Sequence, residues 1–237
     1  MEVHHHPNVE KKNFKEYLLE GLMIFLAVTM GFFAESLREN ITKKEKETEY
    51  ITSLARDLEK DKINLCIIID DNQKKIKGLD SLLSLADSDM ANVKNRKLMY
   101  RYSSHVSWYS VFISNDATMS QLKNSAGLQF IKRNHIADSV AKYDQEIRGL
   151  YIAEVPYNKF TSDATEFMTE MLVFTLKKGD ENRGYPLVNK DKQKLQEFFN
   201  KIQIERGWTN NYIQNLQERV PYNTKLISLL KKEYDIE

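Results

Sequence analysis

Residues 17–34, YLLEGLMIFLAVTMGFFA, form the one stretch of this chain that water would reject. From Gly21 to Ala34 there is no charge, and as a helix the stretch is about 27 Å long at roughly 1.5 Å per residue, one bilayer core. The competing reading is a core helix of a soluble protein, because Glu20 interrupts the run. Three features favour a span. Phe25, Phe32 and Phe33 lie on several faces, no amphipathic pattern runs through the segment, and it ends abruptly in the charge-dense SLRENITKKEKETE. Glu20 and Glu35 flank it and no small-x-small pair stands near its end, so we expect an uncleaved anchor and not a secretory signal.

Orientation is nearly balanced by charge. Lys11, Lys12 and Lys15 precede the span, and Arg38, Lys43, Lys44 and Lys46 follow it. We read the short tail inside and the large domain outside, on the periplasmic side of a bacterial inner membrane, with the cytoplasmic placement as the alternative. Within the span Ala27, Gly31 and Ala34 fall at i, i+4 and i+7, a stripe of small residues that would let a second membrane helix approach closely.

Eight Gly and four Pro in 237 residues leave few breakers, so the rest of the chain should be mostly helical. Lys and Arg number 35 against 34 Asp and Glu, which gives no overall field for nucleic acid. The single Cys66 excludes an intrachain disulfide, leaves the redox compartment open, and in the run LCIII is expected to be a small buried hydrophobe. His4, His5 and His6 stand in a polar tail and are read as that, not as a metal site.

After the span, residues 35–49 are charged or polar except Leu37 and Ile41 and read as a solvated stalk, with no breaker until Gly78. Ile51, Leu58, Leu65, Leu79 and Ala86 then share one sevenfold series, with Leu54, Ile68 and Leu82 on its companion. Asp61, Asn72 and Lys75 fall on the same seam, which argues against a free coiled coil and for a helix packed in a bundle. Residues 87–95 read as a linker, and 97–113 as a helix with Leu98, Met99, Tyr102, Val106, Tyr109 and Ile113 at helical spacing. His105 lies among aromatic neighbours with no acid or nucleophile paired to it, and is read as a core or interface histidine.

Next, Asn115 or Asp116 is expected to cap a short helix through Lys123, Gly127 to end it, and Asn134 to cap the helix that follows. Pro156 should kink or split that helix. Residues 177–193 read as a loop. Two closing helices are expected, 190–207 and 208–234, the second bent by Pro221.

The anchor FLAVTMGFFAESLREN followed by EYITSLARDLEKD, then TMSQLKNSAGLQFI and IADSVAKYD, resembles a set of uncharacterised single-span bacterial envelope proteins akin to the DUF6090 group. The likeness covers about the first 145 residues. It implies an anchor, a stalk, a helical hairpin and a Gram-negative setting, and it carries no catalytic residue over to any position.

The chain has no phosphate-binding glycine loop, HExxH, CxxC or Gly-x-Ser-x-Gly elbow. Glu166 and Glu170 share a face, but a di-metal bundle also needs Glu-x-x-His pairs, so they read as solvated carboxylates. We therefore expect an all-α protein in which a transmembrane helix continues into a long amphipathic helix packed in an antiparallel bundle. Its parts are a tail (1–16), an anchor (17–36), a stalk (37–50) and a soluble bundle (51–237). The expected function is a non-enzymatic interaction, scaffold or sensor module, with no cofactor, metal, nucleic acid or small-molecule substrate. Its partners are the lipid bilayer and a protein or a second copy. The alternative is a membrane-tethered enzyme or metal-binding helical protein whose groups converge only in three dimensions.

Overall fold

The computed structural model describes residues 13–124, 127–175 and 184–236, so His4, His5 and His6 lie outside the described residues. It is all-α. Among the described residues five α-helices follow in order: α1 (Phe14–Leu83), α2 (Val93–Ser103), α3 (Ala117–Asn124), α4 (Asn134–Met171) and α5 (Lys192–Tyr234). A 3-10 turn, Gly127–Phe130, sits between α3 and α4. The one β feature among the described residues is an isolated bridge between Leu172 and Leu187. By its contacts the chain divides into two compact units, Met1–Glu49 and Tyr50–Glu237.

In the first unit α1 is apolar and uncovered. Phe25, Met30, Phe32 and Phe33 are all more than three-fifths exposed. This is a helix long and apolar enough to cross a membrane. The Thr29 hydroxyl donates to the Phe25 carbonyl at 2.7 Å, so the one hydroxyl in the uncharged run is satisfied inside the helix. Beyond it, Arg38 pairs with Glu35 at 2.7 Å and Lys43 with Glu39 at 2.6 Å. Such i,i+3 and i,i+4 pairs help an exposed stretch with almost no apolar face to stay helical.

In the second unit three long helices form the frame. Leu58 meets Asn223 and Lys75 meets Glu205, so α5 runs antiparallel to α1. Asp61 meets Tyr143 and Lys75 meets Thr161, so α4 runs parallel to α1, and α5 is antiparallel to both. The seam positions Ile51, Leu54, Leu58, Leu65, Ile68, Leu79 and Leu82 are buried, as their spacing requires, whereas Ala86 of the same series lies past the end of α1 and is exposed. The buried positions feed two apolar clusters. One takes Ile51 to Ile68 with Val140, Leu150, Leu216 and Leu230; the other takes Leu79 and Leu82 with Met99, Phe167, Phe198 and Ile202.

Because α1 and α4 are parallel, the chain between them must return along the bundle, and it does so without a helix for much of the way. The helix expected over 97–113 is corrected here: α2 ends at Ser103, and 108–116 has no regular structure. Ser110 lies beside Asn72 and Asn115 beside Asp61. Five residues of the segment thus cover the length of eleven residues of α1, about 16 Å, or about 3.3 Å per residue, the rise of a β-strand and not of a helix.

Other expectations shift for identifiable reasons. Gly78 does not break α1, and the His105 ring occupies the place that a side chain there would take. Pro156 does not split α4. The carbonyl its missing N–H leaves free belongs to Ile152, which is exposed and open to water. The two closing helices are one helix, α5, with Gly207 and Pro221 inside it. A glycine costs about 1 kcal/mol in a helix, and buried Glu205, Thr209 and Tyr212 on either side carry α5 past that cost. Cys66 is exposed, since it sits on the α1 face opposite the seam. The N-cap of α4 is Arg133, with no side-chain cap bond, and not Asn134. At α3 the Asp57 carboxylate of α1 accepts the Thr118 amide at 3.3 Å, so an end-cap expected from Asn115 or Asp116 is supplied across the fold. Gly127 opens the 3-10 turn.

Candidate functional site

The three polar residues on the α1 seam are all buried, and each organises a layer. Lys75 lies between the two apolar clusters. Its Nζ sits 2.8 Å from Glu205 Oε1 of α5, donates to Thr161 Oγ1 of α4 at 2.9 Å, and lies 4.8 Å from the centre of the Tyr157 ring. Glu205 Oε2 has no hydrogen-bond partner among the described residues. Burial pushes the Glu205 carboxyl up to about 7 and lowers the Lys75 ammonium, each partly opposed by its partner. One register of the three helices brings these groups together, so a slip of any helix would strand a charge in an apolar layer.

Asp61 forms the second layer. Its Oδ1 accepts from the Asn115 backbone N–H at 2.7 Å and from Asn115 Nδ2 at 2.8 Å, and its Oδ2 accepts from the Tyr143 hydroxyl at 2.8 Å. Burial raises its affinity for a proton, and these hydrogen bonds oppose that rise. Asn223 of α5 donates to the Leu58 carbonyl at 3.1 Å and to the Tyr143 oxygen at 3.3 Å, closing the layer.

Asn72 begins the third layer and shows what the tyrosines do. It donates to the Ser110 carbonyl at 2.9 Å, and Asn64 donates to the Ile113 carbonyl at 3.0 Å. The backbone N–H groups of Ser110, Phe112 and Ser114 donate to the hydroxyls of Tyr157, Tyr212 and Tyr151 at 3.4, 3.0 and 3.4 Å. Side chains from three helices thus replace the neighbouring strand that an extended segment would normally pair with. Tyr157 and Tyr212 stack with ring centres 4.7 Å apart, and Tyr109 stacks on Tyr157 at 5.9 Å. Burial raises the pKa of both Tyr157 and Tyr212, which keeps them as neutral hydroxyls.

Surface features are simpler. An open groove of about 560 Å³ is lined by Lys94, Lys97, Leu98, Tyr100, Arg101 and Tyr185. Glu166 and Glu170 are exposed, in keeping with solvated carboxylates. His105 is half-buried, 5.7 Å from the Trp108 ring, with Nδ1 3.2 Å from the Tyr102 carbonyl. Among the described residues no group of three or more His, Cys, Asp or Glu is placed to hold a metal ion. Ala27, Gly31 and Ala34 are exposed on α1, and a Cβ built on Gly31 meets nothing within 4 Å.

Sequence reasoning noticed Asp61, Asn72 and Lys75 but not the groups that Lys75 meets, Glu205, Thr161 and Tyr157, nor Tyr212, which accepts from the Phe112 N–H. A signal for Glu205 is present: Phe198, Ile202, Glu205, Thr209, Tyr212 and Leu216 step along one buried stripe of α5 at helical spacing. The chain matches no family model, no curated protein and no solved structure.

Proposed function

We propose that this protein is a membrane-anchored, non-enzymatic interaction module, held by one span in a bacterial inner membrane with its helical unit on the periplasmic side. The observation that carries the reading is where the ionisable groups go. The buried charged groups Asp61, Lys75 and Glu205 are each bound to another element of the bundle. A catalytic group perturbed in that way would face a cleft wide enough for a substrate, whereas the cavity that Asp61 and Tyr143 line is only about 20 Å³. The apolar, uncovered residues of the first unit support the anchor, and the likeness to single-span envelope proteins supports the compartment.

Cross-linking in native membranes followed by mass spectrometry tests the reading. It should give reproducible cross-links between lysines of the helical unit and one protein partner or a second copy. A chain that yields no protein cross-link, and purifies with one transition metal per molecule, would put the metal-binding alternative first.

A further inference from the structure

Charge is balanced over the whole chain but not along it. From residue 90 to residue 115 there is no Asp or Glu, and within that stretch α2 carries Lys94, Arg96, Lys97 and Arg101. Arg96 is spent inside the fold. Its Nε donates to the Gly184 and Tyr185 carbonyls at 3.0 and 2.9 Å, and its Nη1 to those of Met90 and Ala91 at 2.8 and 2.7 Å. The other three fall at i, i+3 and i+7 on an exposed face of α2, opposite buried Met99 and Ser103. Among the described residues none of the three meets a carboxylate.

The same arginine builds a wall beside them. Tyr185 has φ 53°, in the left-handed region that a residue with a side chain adopts at a cost, and Arg96 holds the carbonyl on each side of it. Its ring stands 5.5 Å from the Tyr100 ring, and its centre is 5.9 Å from Lys97 Nζ. With Leu98, these rings give the open groove of about 560 Å³ apolar surface next to its three cations. A wall fixed in advance lowers the cost of binding.

Cations with no internal anion are complementary to the anions of a ligand, and the rings and Leu98 to its apolar or aromatic side chains. An open groove does not enclose a small molecule as most such sites do. A nucleic-acid strand is held by cations that follow successive phosphates, and with Arg96 spent, α2 offers a patch of three. The groove also follows Leu83, the end of α1 away from its apolar run, which favours a protein over lipid.

We propose that this groove docks an acidic peptide segment of a protein partner, whose carboxylates pair with Lys94, Lys97 and Arg101 and whose aromatic side chains lie against Tyr100 and Tyr185. The proposal rests on the interaction-module reading and names the chemistry of its partner.

The test is fluorescence anisotropy of a labelled random copolymer of glutamate and tyrosine, with the full chain in phosphatidylcholine nanodiscs. It should bind, and more weakly as salt rises. Lys94→Gln, Lys97→Gln and Arg101→Gln together should weaken binding about tenfold or more, whereas Lys60→Gln, Lys77→Gln and Lys225→Gln, the same charge change at other exposed sites, should leave it within about twofold. Tyr185→Ala should cost about threefold for the copolymer and nothing for poly-glutamate. If the triple groove variant loses helical signal, Lys97→Gln alone, with about a threefold loss expected, decides the matter. The proposal is overturned if the copolymer does not bind, if both triple variants weaken it alike, or if Tyr185→Ala binds it as before. It is also overturned if oligothymidylate or phosphatidylglycerol vesicles bind more tightly through the same three cations, or if Asp180→Asn with Glu181→Gln strengthens binding tenfold, which would make this chain its own occupant. Should the copolymer fail while cross-links to a partner persist in the groove variant, the groove is wrong and the interaction reading stands.

Discussion

One helix carries two opposite arrangements. In the first unit α1 leaves Phe25, Met30, Phe32 and Phe33 uncovered, whereas in the second unit it buries Asp61, Asn72 and Lys75 almost completely. Each arrangement would be unstable in the other's place. Exposing apolar side chains to water forgoes about 25 cal/mol per Å², which an apolar solvent such as a bilayer core would restore. Burying a charge costs several kcal/mol unless it is paired, which Glu205, Asn115 and Tyr143 make possible from other elements. What separates the two regions is therefore what covers the helix: other elements of the bundle cover it in the second unit, and its apolar side chains stay uncovered in the first.

The largest effect expected tests the first region directly. The full chain should stay in the membrane pellet through a high-pH carbonate wash, whereas a chain beginning at Lys43 should be soluble. Val28→Arg, at the centre of the apolar run, should reduce insertion by about 2.5–3.5 kcal/mol on the insertion scale. Release of the unaltered full chain by carbonate would erase the contrast between the two regions.

Much of this contrast was legible in the sequence, because periodicity reports burial. The sevenfold series from Ile51 to Leu82 needed no more than residue spacing, and the uncharged run from Gly21 to Ala34 needed only length and composition. The helix expected over 97–113 overruns α2 into the extended residues 108–113 because the apolar residues there suit both periods. Tyr102, Val106, Tyr109 and Ile113 step at three and four, while Tyr109, Val111 and Ile113 alternate. The deciding contacts, from Tyr151, Tyr157 and Tyr212, lie between 37 and 100 residues away in sequence. The polar layers were half legible for the same reason: Lys75 on a seam announces a buried charge, and nothing local says that its partner is Glu205.

The second region breaks hardest at that pair. Lys75→Met would leave Glu205 buried without its cation and should cost about 3–5 kcal/mol in chemical denaturation, whereas Lys75→Met combined with Glu205→Leu should recover most of the loss. The pH dependence has a definite sign. A carboxyl raised from 4.5 to about 7 in the fold favours the folded state most below 4.5, and that contribution is lost as pH rises through about 7. Removing Lys75 raises the carboxyl further, so the single variant should be far less stable at pH 8 than at pH 5. Equal losses at both would mean that Glu205 is not the stranded group.

A smaller effect sharpens the role of the tyrosines. Tyr212→Phe keeps the ring stacked on Tyr157 but leaves the buried Phe112 N–H without an acceptor, for an expected loss of about 1–3 kcal/mol. Amide hydrogen exchange at Phe112 should accelerate more than at neighbouring helical positions. If stability falls without faster exchange there, the hydroxyl is not what holds the segment.

The smallest effect on folding belongs to Gly31→Leu, and the comparison predicts why. A side chain at Gly31 meets nothing within 4 Å, so the variant should melt with the unaltered chain in the same detergent. Its consequence would lie between molecules. Ala27, Gly31 and Ala34 present backbone along one stripe, and helices in lipid associate through such close backbone packing, because lipid removes the hydrophobic drive to pair. A leucine in the middle of the stripe holds a partner helix off, and a membrane two-hybrid reporter of span self-association should lose most of its signal. An unchanged signal would show that copies do not meet through this stripe, leaving the span as an anchor alone and placing any self-association in the second unit.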